Sequence, residues 1–167
     1  SNAVPIAIPD IGVASPFPST IQVSGMGAVE SVAVVLNGLS HTYAGDLDIL
    51  LVSPDGTGMV IVSDAGGTND FDGGTYGFAV GGAPMVPLGS AISTGLYVPT
   101  VTLGDDTFPG VVYQSVTSLG AFAGHDANGA WKLYIVDDTG GDFGVLANGW
   151  SLVFNPTTSG APHPNTF

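Results

Sequence analysis

Apolar and polar positions alternate at period two in short runs along much of the chain. The clearest run is Leu47, Ile49 and Leu51, which share one face of a strand and can enter a core. Asp46 and Asp48 fall at the strand mouth or on the opposite face, and Asp48 reads as solvent-facing. Ser53-Pro54-Asp55-Gly56 stops the strand: Pro54 pre-sets φ and Gly56 tolerates a positive φ. Val32, Val34 and Leu36 alternate within Val29 to Leu39, where Asn37-Gly38 bends the chain. Trp131, Leu133 and Ile135 share a face in Gly129 to Asp137. Trp150, Leu152 and Phe154 point inward in a last strand over Val145 to Phe154. Shorter candidates are Thr20 to Ser24, Met59 to Val62, Tyr76 to Val80, Leu96 to Pro99 and Val111 to Val116. The region from 64 to 130 reads mainly as long loops, with Thr68 to Gly74 an acidic turn. No amphipathic helix stands out. Alternating strands separated by turn residues predict an all-β single domain, a β-sandwich.

The edges of the chain read differently. Ser1-Asn2-Ala3 has the form of a tag-removal scar and is set outside the fold. Val4 to Pro18 is Pro-rich and expected to lie extended along an edge. The domain is therefore placed at 4–154, with 155–167 a Pro/Ser/Thr-rich tail or linker.

Composition supports this outline. The chain has 167 residues, 44% of them hydrophobic, and a mean hydropathy of +0.42, which excludes a disordered chain. No apolar run approaches the roughly 18 residues of a membrane span. The 26 glycines and 12 prolines break the apolar residues into short runs, favouring strands and loops over helices.

Charge narrows the partners. A single cation, Lys132, faces 14 acids. A nucleic-acid partner is excluded for want of a basic footprint, and an anionic membrane surface is equally disfavoured. All the acids except Glu30 are Asp, the residue of turns and of oxygen-ligand cation loops. Cysteine is absent, which removes disulfides and thiolate zinc sites.

The acids carry the candidate chemistry. Ca²⁺ takes six to eight oxygens, commonly from Asp side chains and loop carbonyls. Asp46 opens one core strand and Asp137 closes another, so a sandwich that joins these ends gathers Asp46, Asp137, Asp138 and Asp142. Asp64 is a further candidate ligand. Asp137 has the parity of Trp131 and Leu133, so it faces inward and needs backbone N–H groups or a cation. Asp70-Phe71-Asp72-Gly73 and Asp126-Ala127-Asn128-Gly129 read more simply as turns. Calcium is the expected cofactor. Asp105-Asp106 are two adjacent acids in the loop between the strand candidates Leu96 to Pro99 and Val111 to Val116, and they are not counted among the ligands.

Catalysis is not expected. The histidines and serines permit a triad on paper, but no Gly-x-Ser-x-Gly elbow exists. His41 reads as an organiser of its own loop, His125 has no evident partner, and His163 lies in the tail.

Three blocks in order then resemble a known family. They are His41-Thr-Tyr-Ala-Gly-Asp-Leu47, Ser53-Pro-Asp-Gly-Thr57, and Asn128 to Asp137 followed by Gly149-Trp-Ser-Leu152. Together they resemble the P domain of kexin- and furin-like proprotein convertases, most closely its bacterial versions, which also show segments like Ser63-Asp-Ala-Gly-Gly67 and Gly95 to Thr100. The resemblance implies a jelly-roll-like β-sandwich of about eight strands. It also implies a non-catalytic module of an exported, extracellular or surface protein. Such a module stabilises or positions an attached domain, often a subtilisin-like protease. It would have no nucleic-acid partner and no membrane insertion of its own. The alternative from the residues is a stand-alone adhesion or glycan-binding module, with Tyr43, Tyr97 and Tyr113 as loop aromatics.

Overall fold

The computed structural model describes residues 1–85, 92–102 and 106–155. Asp105 and the tail beyond Asn155, His163 included, lie outside the described residues. The strands run in chain order β1 (Ile6–Ile8), β2 (Gly12–Val13), β3 (Ser19–Val23), β4 (Val32–His41), β5 (Leu47–Val52), β6 (Thr57–Ser63) and β7 (Phe71–Ala83). They continue with β8 (Gly95–Tyr97), β9 (Thr100–Val101), β10 (Gln114–Ser115), β11 (Gly129–Asp137), β12 (Gly144–Leu146) and β13 (Trp150–Phe154). One sheet has the order β1-β12-β4-β7-β8, with β13 also on β4. The other has the order β10-β6-β5-β11-β2, with β3 also on β11 and β9 on β6. The pairings β7–β8, β6–β9 and β6–β10 are parallel and the rest antiparallel, so both sheets are mixed. The architecture is the expected all-β sandwich.

The inner faces make one core. Leu47, Ile49 and Leu51 of β5 and Trp131, Leu133 and Ile135 of β11 meet Val32, Val34 and Leu36 of β4 and Phe78 of β7. Trp131 and Trp150 are both fully buried. Their N–H groups are satisfied: Trp131 Nε1 donates to Ala127 O and Trp150 Nε1 to Ser19 Oγ, each at 2.9 Å. Truncating either to Ala would cost about 3–5 kcal/mol in lost transfer energy and cavity.

A second, smaller cluster lies outside the sandwich. Leu50 and Val52 of β5 and Tyr134 and Val136 of β11 pack under Phe108, with Phe17, Val60, Val111 and Tyr113 around them. The outer face of this sheet is therefore covered by the segment from 106 to 113, and β5 is buried along its whole length.

Three local expectations are corrected. Asn37-Gly38 bends its strand as expected, but the strand does not stop at Leu39. Gly38 takes φ +71° and forms a bulge, and β4 runs on to His41. Val145 to Phe154 is two strands, both on β4. The intervening Ala147 and Asn148 N–H groups donate to Gly38 O and Asn37 O, so the break in one strand sits on the bulge of the other. The segment read as an acidic turn after Thr68 enters β7, the longest strand described, because pairing with β4 overrides its glycines. Asn2 also bridges to Trp150.

Candidate metal centre

Two acidic sites flank β5, one at its start and one on its outer face. The first is where β5 begins and β11 ends. Leu47 pairs with Asp137 across these strands, and Asp138 N donates to Asp46 O at 3.0 Å. The two strand ends thus meet. What faces Asp137, however, is His41. His41 Nε2 lies 2.9 Å from Asp137 Oδ2, with both side chains fully buried. Thr139 N also donates to Asp137 Oδ1. His41 Nδ1 lies 2.8 Å from Tyr43 O and 3.3 Å from Tyr43 N. The shorter contact is to a carbonyl, which only accepts, so Nδ1 carries a hydrogen. The contact of Nε2 with Asp137 then requires one more proton on the pair. His41 therefore organises its loop, as expected, and also supplies the inward carboxylate with a partner.

The other acids of this site stand around that pair. Asp46 is buried, and its carboxyl is pushed up to about 6, first by desolvation and then by Asp137 and Asp142. Burial likewise raises Asp137, while the hydrogen bond from His41 opposes the rise. Asp142 accepts from Thr42 Oγ1, and the exposed Asp138 accepts from Thr139 Oγ1. Asp46, Asp137, Asp138 and Asp142 share a neighbourhood but do not bring three acid oxygens within 4.8 Å of one another.

The second site does so. Among the described residues, Asp48, Asp64 and Asp106 form the group in which one carboxylate oxygen from each lies within 4.8 Å of the others. Asp48 is on β5, opposite Ser63 of β6 and Val136 of β11. It is only 2% exposed, which corrects its reading as solvent-facing. Its parity was right, away from the main core, but that face is the one covered by Phe108, Val111 and Tyr113. Asp64 follows β6 with φ +49°, a left-handed conformation uncommon for a residue with a Cβ. Asp106 is carried in by the chain after β9, which is parallel to the end of β6, and Thr102 N donates to Ser63 O. Ser63 Oγ donates to Asp106 Oδ1 at 2.7 Å and contacts Asp64 Oδ2 at 3.3 Å. Burial pushes the Asp48 carboxyl up to about 8, and Asp106, Asp138 and Asp64 add to the rise. Of the expected ligands, Asp64 joins this group; its other members, Asp48 and Asp106, were not among those expected.

The remaining candidates make no reactive arrangement. Ser53 Oγ donates to Asp55 Oδ1 at 2.6 Å, and His125 Nδ1 stands 2.7 Å from Asp55 Oδ2. His125 thus has a partner that the sequence did not reveal. Serine and histidine both meet the carboxylate rather than each other, so the histidine is not placed to take the serine proton. Asp126 forms the expected Asx turn, accepting from Asn128 N. Asp72 lies on β7 and accepts from Tyr76 Oη. Tyr43, Tyr97 and Tyr113 are half-buried rather than presented as flat platforms, and Tyr97 packs on Phe78. No helix among the described residues is long and apolar enough to cross a membrane.

Comparison with known proteins agrees with the resemblance in the sequence. Residues 29–81 match the family model of the proprotein convertase P-domain, a span that holds β4, β5, β6 and most of β7. No curated protein matches the chain. A similar solved structure is that of the Aeromonas sobria serine protease and its chaperone in complex. It is 16% identical, with a TM-score of 0.39, over 92% of this chain and 26% of that one. The chain thus spans about a quarter of the length of the chain it matches.

Proposed function

We propose, from the P-domain assignment that the match over residues 29–81 supports, that this chain is a non-catalytic accessory module. It stabilises or positions an attached domain, a subtilisin-like protease being the favoured one, in a protein exported from the cell. The observation that carries this reading is the match itself, which spans β4 to most of β7. The arrangement of Ser53, Asp55 and His125 agrees with it, since it offers no activated nucleophile. So does the single cation of the chain, which leaves no footprint for nucleic acid.

Expression of the parent protein with and without residues 4–154 tests the proposal. The attached domain should lose yield, melting temperature and activity when the module is removed. Equal yield, melting and activity in the two forms would overturn it.

A further inference from the structure

Asp48 poses a problem of charge that its surroundings do not solve. Its side chain is almost wholly buried, on a face built otherwise from Leu50, Val52, Tyr134 and Val136. Among the described residues no N–H or hydroxyl donates to its carboxyl, and the polar group it meets is another carboxyl, that of Asp106. Asp64 brings a third acid to the same point, and Asp138 adds a more distant negative charge. Buried carboxylates crowded in this way need a compensating positive charge.

Among the described residues no side chain supplies that charge. Lys132 is the one Lys or Arg in the sequence. It pairs with Val52, whereas Asp48 pairs with Val136, four residues further along β11. At about 3.3 Å per residue that is roughly 13 Å, beyond the reach of an ion pair. The described histidines do not serve either: His41 is committed to Asp137 and His125 faces Asp55.

Two species remain, a proton shared between Asp48 and Asp106 or a metal cation. We propose that Asp48, Asp64 and Asp106 form a Ca²⁺ site that fastens the chain after β9 onto the outer face of β5 and β6. Three carboxylates supply three to six of the six to eight oxygens that Ca²⁺ takes, and backbone carbonyls and water complete such shells. Oxygens on a Ca²⁺ sphere of about 2.4 Å radius are at most about 4.8 Å apart, and the three acids meet that limit. The donor set is all hard oxygen, drawn from a strand, a strand end and a loop. That irregular origin suits Ca²⁺ better than Mg²⁺, which demands a near-ideal octahedron and holds its waters. The site is independent of what the module is attached to, because all three ligands belong to this domain.

The test is calorimetry and thermal melting of EDTA-stripped protein with CaCl₂, with MgCl₂, and with NaCl at matched ionic strength. Calcium should bind with a stoichiometry of one and raise the melting temperature by about 5–10 °C at a hundredfold excess over Kd. Magnesium and NaCl should give much smaller shifts. Asp64→Asn and Asp106→Asn, at half-buried positions, should each weaken binding at least tenfold. Asp48→Asn should abolish the calcium shift and melt higher than the wild type when both are metal-free. Were Asp48→Asn not to fold, the two half-buried variants would still decide the matter. Absence of calcium heat together with absence of a calcium-specific shift would leave the shared proton and overturn the proposal. So would a full calcium response in Asp64→Asn and Asp106→Asn, which would place the ion elsewhere.

Discussion

His41 and Asp137 join the two sheets. His41 ends β4 in one sheet and Asp137 ends β11 in the other, and their side chains meet at 2.9 Å with no exposure. His41→Ala leaves the Asp137 carboxylate buried with the Thr139 N–H still donating to it, and frees Tyr43 O as well. Breaking a buried pair from one side costs about 3–5 kcal/mol, because the surviving charge is stranded. In a domain of this size that is roughly 6–20 °C of melting temperature. Asp137→Asn removes the charge but keeps the volume and one acceptor, so it should cost about 1–2 kcal/mol. The double variant should cost less than the sum of the two, by about 1.5–3 kcal/mol. Urea unfolding of all four proteins measures the cycle. The penalty of His41→Ala should also depend on pH. Burial raises Asp137 above its ordinary value, and losing His41 raises it further. The folded state then retains a proton that the unfolded chain has released. The loss of stability is therefore largest at neutral pH and shrinks as pH falls toward the unfolded value near 3.8. Single-variant costs that add within about 0.5 kcal/mol, or a penalty that is flat from pH 4 to 7, would refute the argument and reduce His41 to packing.

Two further outcomes follow from the acids and their cover. In metal-free protein Asp46 is raised to about 6 and Asp48 to about 8, both from 3.8, so the folded state binds more protons than the unfolded one. Stability should fall as pH rises from about 4 to about 8 and level off beyond, with Asp46 contributing at most about 3 kcal/mol of that fall. Asp55, lowered to about 2 chiefly by Ser53, acts in the opposite sense, and its share is lost as pH drops from about 4 to 2. Urea midpoints in EDTA at pH 3, 5 and 8 check this, and a midpoint higher at pH 8 than at pH 5 would contradict it. Gly58→Ala tests the cover itself. A Cβ on Gly58 would lie 2.4 Å from the Tyr113 ring, so Tyr113 must move, at about 1–3 kcal/mol. Hydrogen exchange should speed up in 106–113, and an unchanged melting temperature and exchange pattern would show that the ring gives way freely.

The sandwich was legible because its central strands state their inner face twice over. Trp131, Leu133 and Ile135 on β11 and Leu47, Ile49 and Leu51 on β5 repeat at period two and meet one another. The same parity placed Asp137 inward, although it did not name His41 as the partner, because β4 runs on past Leu39 to a residue that the pattern had left in the following loop. The weakly legible part was β7. Gly73, Gly74, Gly77, Gly81 and Gly82 remove the side chains that would have shown its alternation, and the strand exists because β4 pairs with it.

Asp48 shows what parity can and cannot decide. Alternation placed it away from the core, and that placement holds. Exposure does not follow from it, because exposure depends on what a distant segment does, here Phe108, Val111 and Tyr113 folding over the outer face. One local signal was nonetheless present. Leu50 and Val52 share the parity of Asp48, and a solvated face of an antiparallel strand should alternate to polar residues. Two large apolar residues on the supposedly wet side mean that this side is covered as well. A carboxylate in line with them is then a buried charge from the sequence onward. In a chain whose lone Lys is distant along a neighbouring strand, such a charge directs attention to the acids that other segments can bring to it.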